Sequence, residues 1–183
     1  MSAKLENAFD VAFWFTDMAF NENEFLQPQK LQRLLFLAQA NYSIAFNGRL
    51  LMPAFFVADE MGPLEPNVFI AFSNGRPEID ARLFLPHEVE NFLDGIWRQF
   101  GQYSTDQLNK ITMGSDAYKQ AFKKGHRSEI SLKAMRNSFS RAKSSSGANK
   151  NEMPKILKTQ TGRPVSVKTW VPGKKINEDS SIP

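Results

Sequence analysis

The chain has 183 residues, no cysteine and a formal net charge of +4. This length suits one domain of ordinary size with room for a tail, and the lack of cysteine excludes disulfides, a thiol nucleophile and cysteine-ligated metal. The sequence begins without a secretory signal and has no run of 18 apolar residues, so we expect a cytoplasmic protein with no membrane span.

Aromatic residues and charge are both unevenly distributed. All 16 phenylalanines precede residue 140, whereas residues 140–183 hold nine Lys or Arg and three Asp or Glu. That segment therefore carries +6 and the first 139 residues carry −2. We predict a folded domain over residues 1–142 and a flexible basic tail over residues 143–183. A mildly acidic body argues against nucleic-acid binding by the whole protein.

Two strongly apolar helices are predicted first. Apolar residues at three- and four-residue steps predict a helix over residues 4–21. Pro28 suits a first helical turn, and a second helix should run from Gln29 to Phe46, where Asn47-Gly48 ends it. The buried stripe of this second helix is predicted to be Leu31, Leu34, Leu35, Ala38 and Tyr42, and its polar residues are Lys30, Gln32, Arg33, Gln39 and Asn41.

Residues 50–63 are predicted to be irregular or briefly extended, and a short helix should follow from Leu64 or Pro66 to Ser73. For residues 77–85 a short strand and an ordered loop both remain open. An amphipathic helix is expected from Pro86 to Gly101, with Val89, Phe92, Leu93, Ile96, Trp97 and Phe100 on one face.

The remaining helices are shorter. Ser104 and Gln107 have the spacing of a capping box at the start of a helix. Ser115 or Asp116 should cap the next helix, and a last one is expected from Ser128 or Glu129 to about Ala142. The resulting fold class is an all-α bundle of six or seven helices with at most one minor β element.

The tail has a distinct composition. Residues 144–151 are typical of a flexible linker, and two apolar islands follow, residues 153–157 and 165–171. These islands are interpreted as short linear motifs or as segments that lie back on the domain. The second island alternates apolar and polar residues, so it suits addition to a sheet edge with Trp170 as an anchor. Packing of Trp170 on its own domain is equally compatible with the sequence.

No catalytic motif is found. The two histidines, His87 and His126, do not have metal-ligand spacing, and no phosphate-binding glycine loop or nucleophile elbow occurs. Asp59, Glu60 and Glu65 would support acid–base chemistry only if the fold brought them together, and acidic residues beside a turn more often cap helices or face solvent. We therefore expect no enzyme activity, no cofactor and no metal site.

Several segments taken in order resemble the Panacea domain. Residues 26–40 read LQPQKLQRLLFLAQA, residues 47–51 read NGRLL, and residues 58–64 read ADEMGPL. Residues 96–104, IWRQFGQYS, are similar to a later segment of that family. The resemblance covers about residues 5–139. Leu64 departs from the usual Val after Gly-Pro, and residues 116–118 stand where a Pro-Trp pair is common.

The resemblance implies an antitoxin that binds and neutralises a cognate toxin protein encoded beside it. In the SocA-like branch the antitoxin is a proteolytic adaptor that delivers its toxin to the ClpXP protease, and a folded body with a motif-bearing tail suits that role. The alternative is a nucleic-acid-binding regulator that uses the basic tail. A small hydrolase built on Asp59, Glu60 and Glu65 is a third hypothesis.

Two segments are the candidate partner-binding surfaces. The first is the element that contains Asp59, Glu60, Gly62, Pro63 and Glu65, although Gly62 and Pro63 also suit a purely structural turn. The second is in the tail and comprises Trp170, Val171, Lys174 and Lys175.

Overall fold

The structure is a computed structural model that describes residues 3–79, 84–148, 155–158 and 164–167. The chain divides into two compact units, Met1–Ser144 and Ser145–Pro183. The sequence-based prediction placed this division after residue 142.

The described part of the chain is mainly helical, which confirms the predicted fold class. Its helices are α1 (Phe9–Asn21), α2 (Pro28–Ala45), α3 (Pro66–Ala71), α4 (His87–Phe100), α5 (Thr105–Met113), α6 (Asp116–Lys124) and α7 (Leu132–Ala148). The strands are β1 (Val57–Asp59), β2 (Gly62–Leu64), β3 (Ser128–Glu129), β4 (Lys155–Lys158) and β5 (Pro164–Val167). None of these helices is both long and apolar enough to cross a lipid bilayer.

Helix α1 begins later than the predicted residue 4. The amides of Lys4 and Leu5 instead donate to the carbonyls of Leu50 and Leu51, both at 2.9 Å. These bonds hold the preceding segment outside the helix. Periodicity alone missed this start, because it does not reveal backbone pairing with a segment 46 residues away.

Helix α2 is the centre of the helical unit and packs against α1, α3, α4, α5 and β2. Every residue from Leu31 to Ser43 is buried, so α2 has no solvent-facing side over that length. The predicted buried stripe is confirmed. Four of its five predicted polar residues are also buried: Gln32, Arg33, Gln39 and Asn41.

The buried polar groups of α2 are satisfied by hydrogen bonds. Gln39 accepts from the amides of Leu51 and Met52 at 3.2 and 3.3 Å and donates to the Met52 carbonyl at 3.1 Å. The Gln32 side-chain oxygen accepts from the Glu65 amide at 2.8 Å. Because a buried polar group without a partner is costly, these bonds make a polar residue tolerable inside the core. They also tie the loops after α2 to the helix.

The small sheet has the order β2-β1-β3, with both pairings antiparallel. Val57 pairs with Leu64 and with Glu129, so β1 is the central strand. The last helix was predicted to start at Ser128 or Glu129, and this is wrong. Those residues form β3, because Arg127 and Ile130 donate their amides to Ala58 and Phe56 and align the segment with β1.

The predicted helix caps are confirmed. Ser104 and Gln107 form the reciprocal capping box, with the Gln107 amide donating to Ser104 Oγ at 3.2 Å and the Ser104 amide donating to Gln107 Oε1 at 2.8 Å. Of the two candidates for the next cap, Ser115 is the cap residue, since its Oγ accepts from the Tyr118 amide. These bonds fix where α5 and α6 begin.

The start of the predicted linker is helical rather than irregular, since α7 continues to Ala148. In the second unit, β4 and β5 form an antiparallel pair in which Leu157 lies opposite Val165. The two apolar islands of the sequence thus contribute strands that pair with each other. Alternation of apolar and polar residues correctly indicated an extended conformation for residues 165–167.

Candidate functional site

The element predicted to bind a partner is a tight β-hairpin. Asp59 lies opposite Gly62, and Glu60 and Met61 form the turn between β1 and β2. Asp59, Gly62 and Pro63 are buried, whereas the side chains of Glu60 and Met61 are exposed. Gly62 and Pro63 therefore have the structural role that was considered for them. Among the predicted partner-binding residues of this element, Glu60 is the one whose side chain is exposed.

Glu65 is also buried and serves the fold. Its Oε2 accepts from the Val68 amide at 2.7 Å and its Oε1 accepts from the Asn67 side chain, so it caps the N-terminus of α3. A carboxylate at this position satisfies an otherwise unpaired amide and interacts favourably with the helix dipole. The predicted contact of Glu65 with a partner is not compatible with this burial.

Arg33 of α2 binds the backbone of the hairpin through hydrogen bonds. The sequence did not indicate this role. Its side chain is 1% exposed. Nη1 donates to the Pro63 carbonyl at 2.8 Å, Nη2 donates to the Met61 carbonyl, and Nε donates to Asn109 Oδ1 of α5 at 2.7 Å. Gln29 adds a weaker bond to the Met61 carbonyl. One guanidinium thus joins α2, the hairpin and α5.

Burial lowers the pKa of Arg33 to about 10, although the nearby Tyr118 and Asp59 raise it. The group therefore remains cationic at neutral pH. Burial also raises the pKa of Tyr118, whose hydroxyl donates to the Asp59 carbonyl at 2.7 Å. Both side chains are thus in their hydrogen-donating forms, as these contacts require.

Asp59 is held by two donors on the other side of the hairpin. Its Oδ2 accepts from Arg127 Nε at 2.9 Å and its Oδ1 accepts from the Met61 amide at 3.1 Å. Burial by itself raises the pKa of this carboxyl. The hydrogen bonds from Arg127 and Met61 and the charges of Arg127 and His126 outweigh that effect and keep the pKa below its ordinary value of 3.8.

A depressed folded-state pKa predicts a specific pH dependence. Ionised Asp59 stabilises the fold at pH values above its unfolded pKa, and this contribution is lost as pH falls through the lower folded pKa. We expect Asp59→Asn to reduce the free energy of unfolding at pH 7, with a difference from wild type that shrinks below about pH 4. Urea titrations of both proteins from pH 7 to pH 2.5 measure it. A difference that stays constant over this range contradicts the assignment.

The carboxylates do not form a catalytic pair. Asp59 is bound to Arg127 and the turn, Glu65 is bound to the start of α3, and Glu60 is exposed at the tip. The two buried carboxylates therefore accept hydrogen bonds from different parts of the fold. This arrangement removes the geometric basis of the hydrolase hypothesis at these residues.

The histidines are on the surface. His87 begins α4, is largely exposed and lies 3.8 Å from Glu90, and His126 lies in the exposed turn before Arg127. Among the residues the structure describes, no three His, Asp or Glu side chains are grouped as a metal site would require. The four predicted tail residues, Trp170, Val171, Lys174 and Lys175, lie outside the described residues.

A second surface was not predicted from the sequence. Phe20 at the end of α1 is 78% exposed, Phe25 in the following loop is 75% exposed, and Ile79 is 59% exposed. The Asp17–Arg76 ion pair, at 2.5 Å, connects the segments that carry them. We call Phe20, Phe25, Ile79 and this ion pair the α1 patch.

Contacts around Arg76 hold the parts of the α1 patch together. Arg76 Nη1 donates to the Ile79 carbonyl, and the Phe25 ring lies against Gly75. The Arg76 guanidinium also lies 5.0 Å from the centroid of the Phe13 ring. These contacts bring α1, the loop after it and the segment after α3 to one surface.

The loop that carries Phe25 is anchored at its start. Glu22 accepts from Trp97 Nε1 of α4 at 2.8 Å and from the Gln102 side chain at 3.3 Å, and the Glu24 amide donates to the Ala19 carbonyl. These contacts hold the loop in place, and Phe25 is nevertheless exposed to solvent. Large apolar side chains presented in this way mark interaction surfaces more often than isolated exposed residues do.

Comparisons of the chain with models of known protein families, with curated proteins and with solved structures find no match.

Proposed function

We propose that this protein is an antitoxin that binds and neutralises a toxin protein, and that the α1 patch is the surface it uses. The observation that carries the proposal is the exposure of Phe20, Phe25 and Ile79 on segments that are tied together. Aromatic side chains on an anchored backbone contribute binding energy at a small entropic cost, because little backbone freedom is lost on association.

The chemistry of the partner follows from that of the α1 patch. Three apolar side chains suit an apolar face of a folded protein, and the Asp17–Arg76 pair supplies charged groups of both signs beside it. Proteolytic delivery to ClpXP is the proposed mode, with the tail as the segment that reaches the protease. The Panacea-like segments of the sequence motivate the antitoxin role and the delivery mode.

The experiment co-expresses the chain with the product of the neighbouring open reading frame and measures growth rescue and co-purification. We expect the double variant Phe20→Ser, Phe25→Ser to lose rescue and to bind at least about tenfold more weakly, since buried aromatic anchors each contribute more than about 1 kcal/mol. Both side chains are exposed, so the variant should fold normally.

Phe55→Ser is the matched control, because Phe55 is 52% exposed but precedes β1 and is not part of the α1 patch. It should bind and rescue like wild type. Full rescue by the Phe20, Phe25 double variant would exclude the α1 patch as the binding surface. Absence of any complex with the wild-type chain would exclude the antitoxin role for this gene pair.

The same assay separates delivery from simple blocking. The chain is ended after Ala148, because α7 continues to that residue. Delivery predicts that this shortened chain still binds the toxin while the toxin's half-life in cells returns to its value without the antitoxin. If the toxin's half-life with the shortened chain equals its half-life with the full-length chain, the tail has no role in delivery.

A further inference from the structure

A cavity of about 610 Å³ opens between the N-terminal segment and the C-terminal end of α2. Its walls include Lys4, Tyr42, Phe46, Arg49 and Leu50. Its volume is within the range of small-molecule sites in proteins. None of these residues belongs to the hairpin or to the α1 patch, so this site is separate from the proposed partner surface.

Cationic side chains outnumber carboxylates around this cavity. Lys4 pairs with Glu88 at 2.9 Å, but Arg49 forms no ion pair within the described part of the chain. A site with an excess of positive charge favours an anionic ligand.

The C-terminal end of α2 is partly capped by the residues that follow it. The carbonyls of Tyr42, Ser43 and Phe46 accept backbone hydrogen bonds from residues 46, 48 and 49. Satisfied carbonyls present less negative charge at a helix C-terminus than unpaired ones do.

Tyr42 provides an independent sign of a ligand. Its side chain is 1% exposed, and its hydroxyl forms no hydrogen bond with any described residue. Among the described residues, every fully buried side-chain oxygen and nitrogen has a hydrogen-bond partner. Tyr42 is also one of the residues that line the cavity. Burial raises its pKa, so it is a hydrogen-bond donor at neutral pH.

The Tyr42 ring is fixed by its neighbours. It stacks on Phe46 with centroids 4.2 Å apart and meets the edge of Phe92 at 5.2 Å. A donor on a fixed ring is already oriented for a ligand, which lowers the entropic cost of binding. Phe46 also gives the cavity an aromatic wall.

We propose that this cavity binds a small organic phosphate with a planar apolar group. Arg49 and Lys4 bind the phosphate oxygens, the Tyr42 hydroxyl donates to a third oxygen, and the planar group packs against Phe46. Donors on three separate side chains suit the three terminal oxygens of a phosphate monoester better than the two of a carboxylate.

Calorimetric titration of the full chain with phenyl phosphate tests this. We expect binding to wild type, and binding at least about tenfold weaker in both Tyr42→Phe and Arg49→Gln, because a hydrogen bond to a charged group is a strong one. Tyr42→Phe removes only a hydroxyl that has no partner among the described residues. An unchanged melting temperature checks that the variant is folded.

Arg98→Gln is the charge-matched control, since Arg98 is exposed, pairs with Asp94 and does not line the cavity. It should bind phenyl phosphate like wild type, and benzoate and inorganic phosphate should bind wild type more weakly than phenyl phosphate. The proposal is overturned by no heat of binding at millimolar phenyl phosphate, by wild-type affinity in Tyr42→Phe, by an equal loss in Arg98→Gln, or by equal affinity for either simpler anion.

Discussion

Gly62→Ala is expected to lower the free energy of unfolding by about 3 kcal/mol or more, because it combines two separate costs. Gly62 has a φ of +115°, and a side chain there is strained by about 1–3 kcal/mol. A Cβ atom would also lie only 2.5 Å from Arg33 Cζ and 2.9 Å from Nε, so the guanidinium must move from its three acceptors. Urea denaturation at pH 7 measures the change.

Gly95→Ala is the matched control, and it should change stability in the opposite direction. Gly95 is in the middle of α4, and nothing lies within 4 Å of a Cβ atom built there. Alanine is favoured over glycine in a helix interior by about 0.8–1 kcal/mol, so the free energy of unfolding should increase. A loss of similar size at both glycines would show that the contact with Arg33 is not the cause.

Arg33→Met is the second substitution with a large expected effect. Methionine fills much of the same space but leaves the Pro63 carbonyl and the side-chain oxygen of Asn109 without the Arg33 donor, while the Met61 carbonyl keeps only the weaker bond from Gln29. An unsatisfied buried acceptor costs about 1–3 kcal/mol, and the two part-buried bonds add less, so the total loss should be about 2 kcal/mol or more. Thermal unfolding and urea denaturation both measure it.

A double-mutant cycle ties this loss to the hairpin. In the Arg33→Met background the guanidinium that a Cβ at residue 62 would contact is gone, so Gly62→Ala should cost less than in wild type. Additive losses would contradict the inferred contact. Arg98→Met removes an exposed arginine and should change stability by no more than about 0.5 kcal/mol.

The fold was predictable where local pattern determines it. The apolar stripe of α4, the stop after α2 and the Ser104–Gln107 capping box depend on residues within a turn or two of each other. The start of α1 and the strand β3 were not predictable in this way. Both depend on backbone hydrogen bonds to distant segments, Leu5 to Leu51 and Ile130 to Phe56.

The candidate site was predicted less well, for a related reason. The sequence identified the Asp59–Glu65 element but could not show that Asp59 and Glu65 are used inside the fold, because the partner of Asp59 is Arg127, 68 residues away. Arg33 was taken as an ordinary polar residue of α2. A helix packed on all sides also buries its polar residues. The acceptors of the Arg33 side chain lie 28 to 76 residues away along the chain, so the sequence does not reveal them.

The α1 patch left only a faint signal in the sequence. Phe20 continues the apolar pattern that predicts α1, and that pattern does not distinguish a buried from an exposed position. Phe25 follows the polar residues Asn21 to Glu24 and precedes Leu26. An aromatic residue in the loop between two helices could have been noted as an interaction candidate. Its position beside Gly75 and Arg76 required the structure.

Arg33 holds the hairpin by hydrogen bonds to main-chain oxygens. The conformation of the turn is therefore largely independent of the side chains at its tip. Glu60 and Met61 can therefore be exchanged for other residues while the backbone that presents them stays where it is. Such a tip is suited to diversification: successive variants can explore new recognition chemistry on an unchanging support, provided that residue 62 remains glycine.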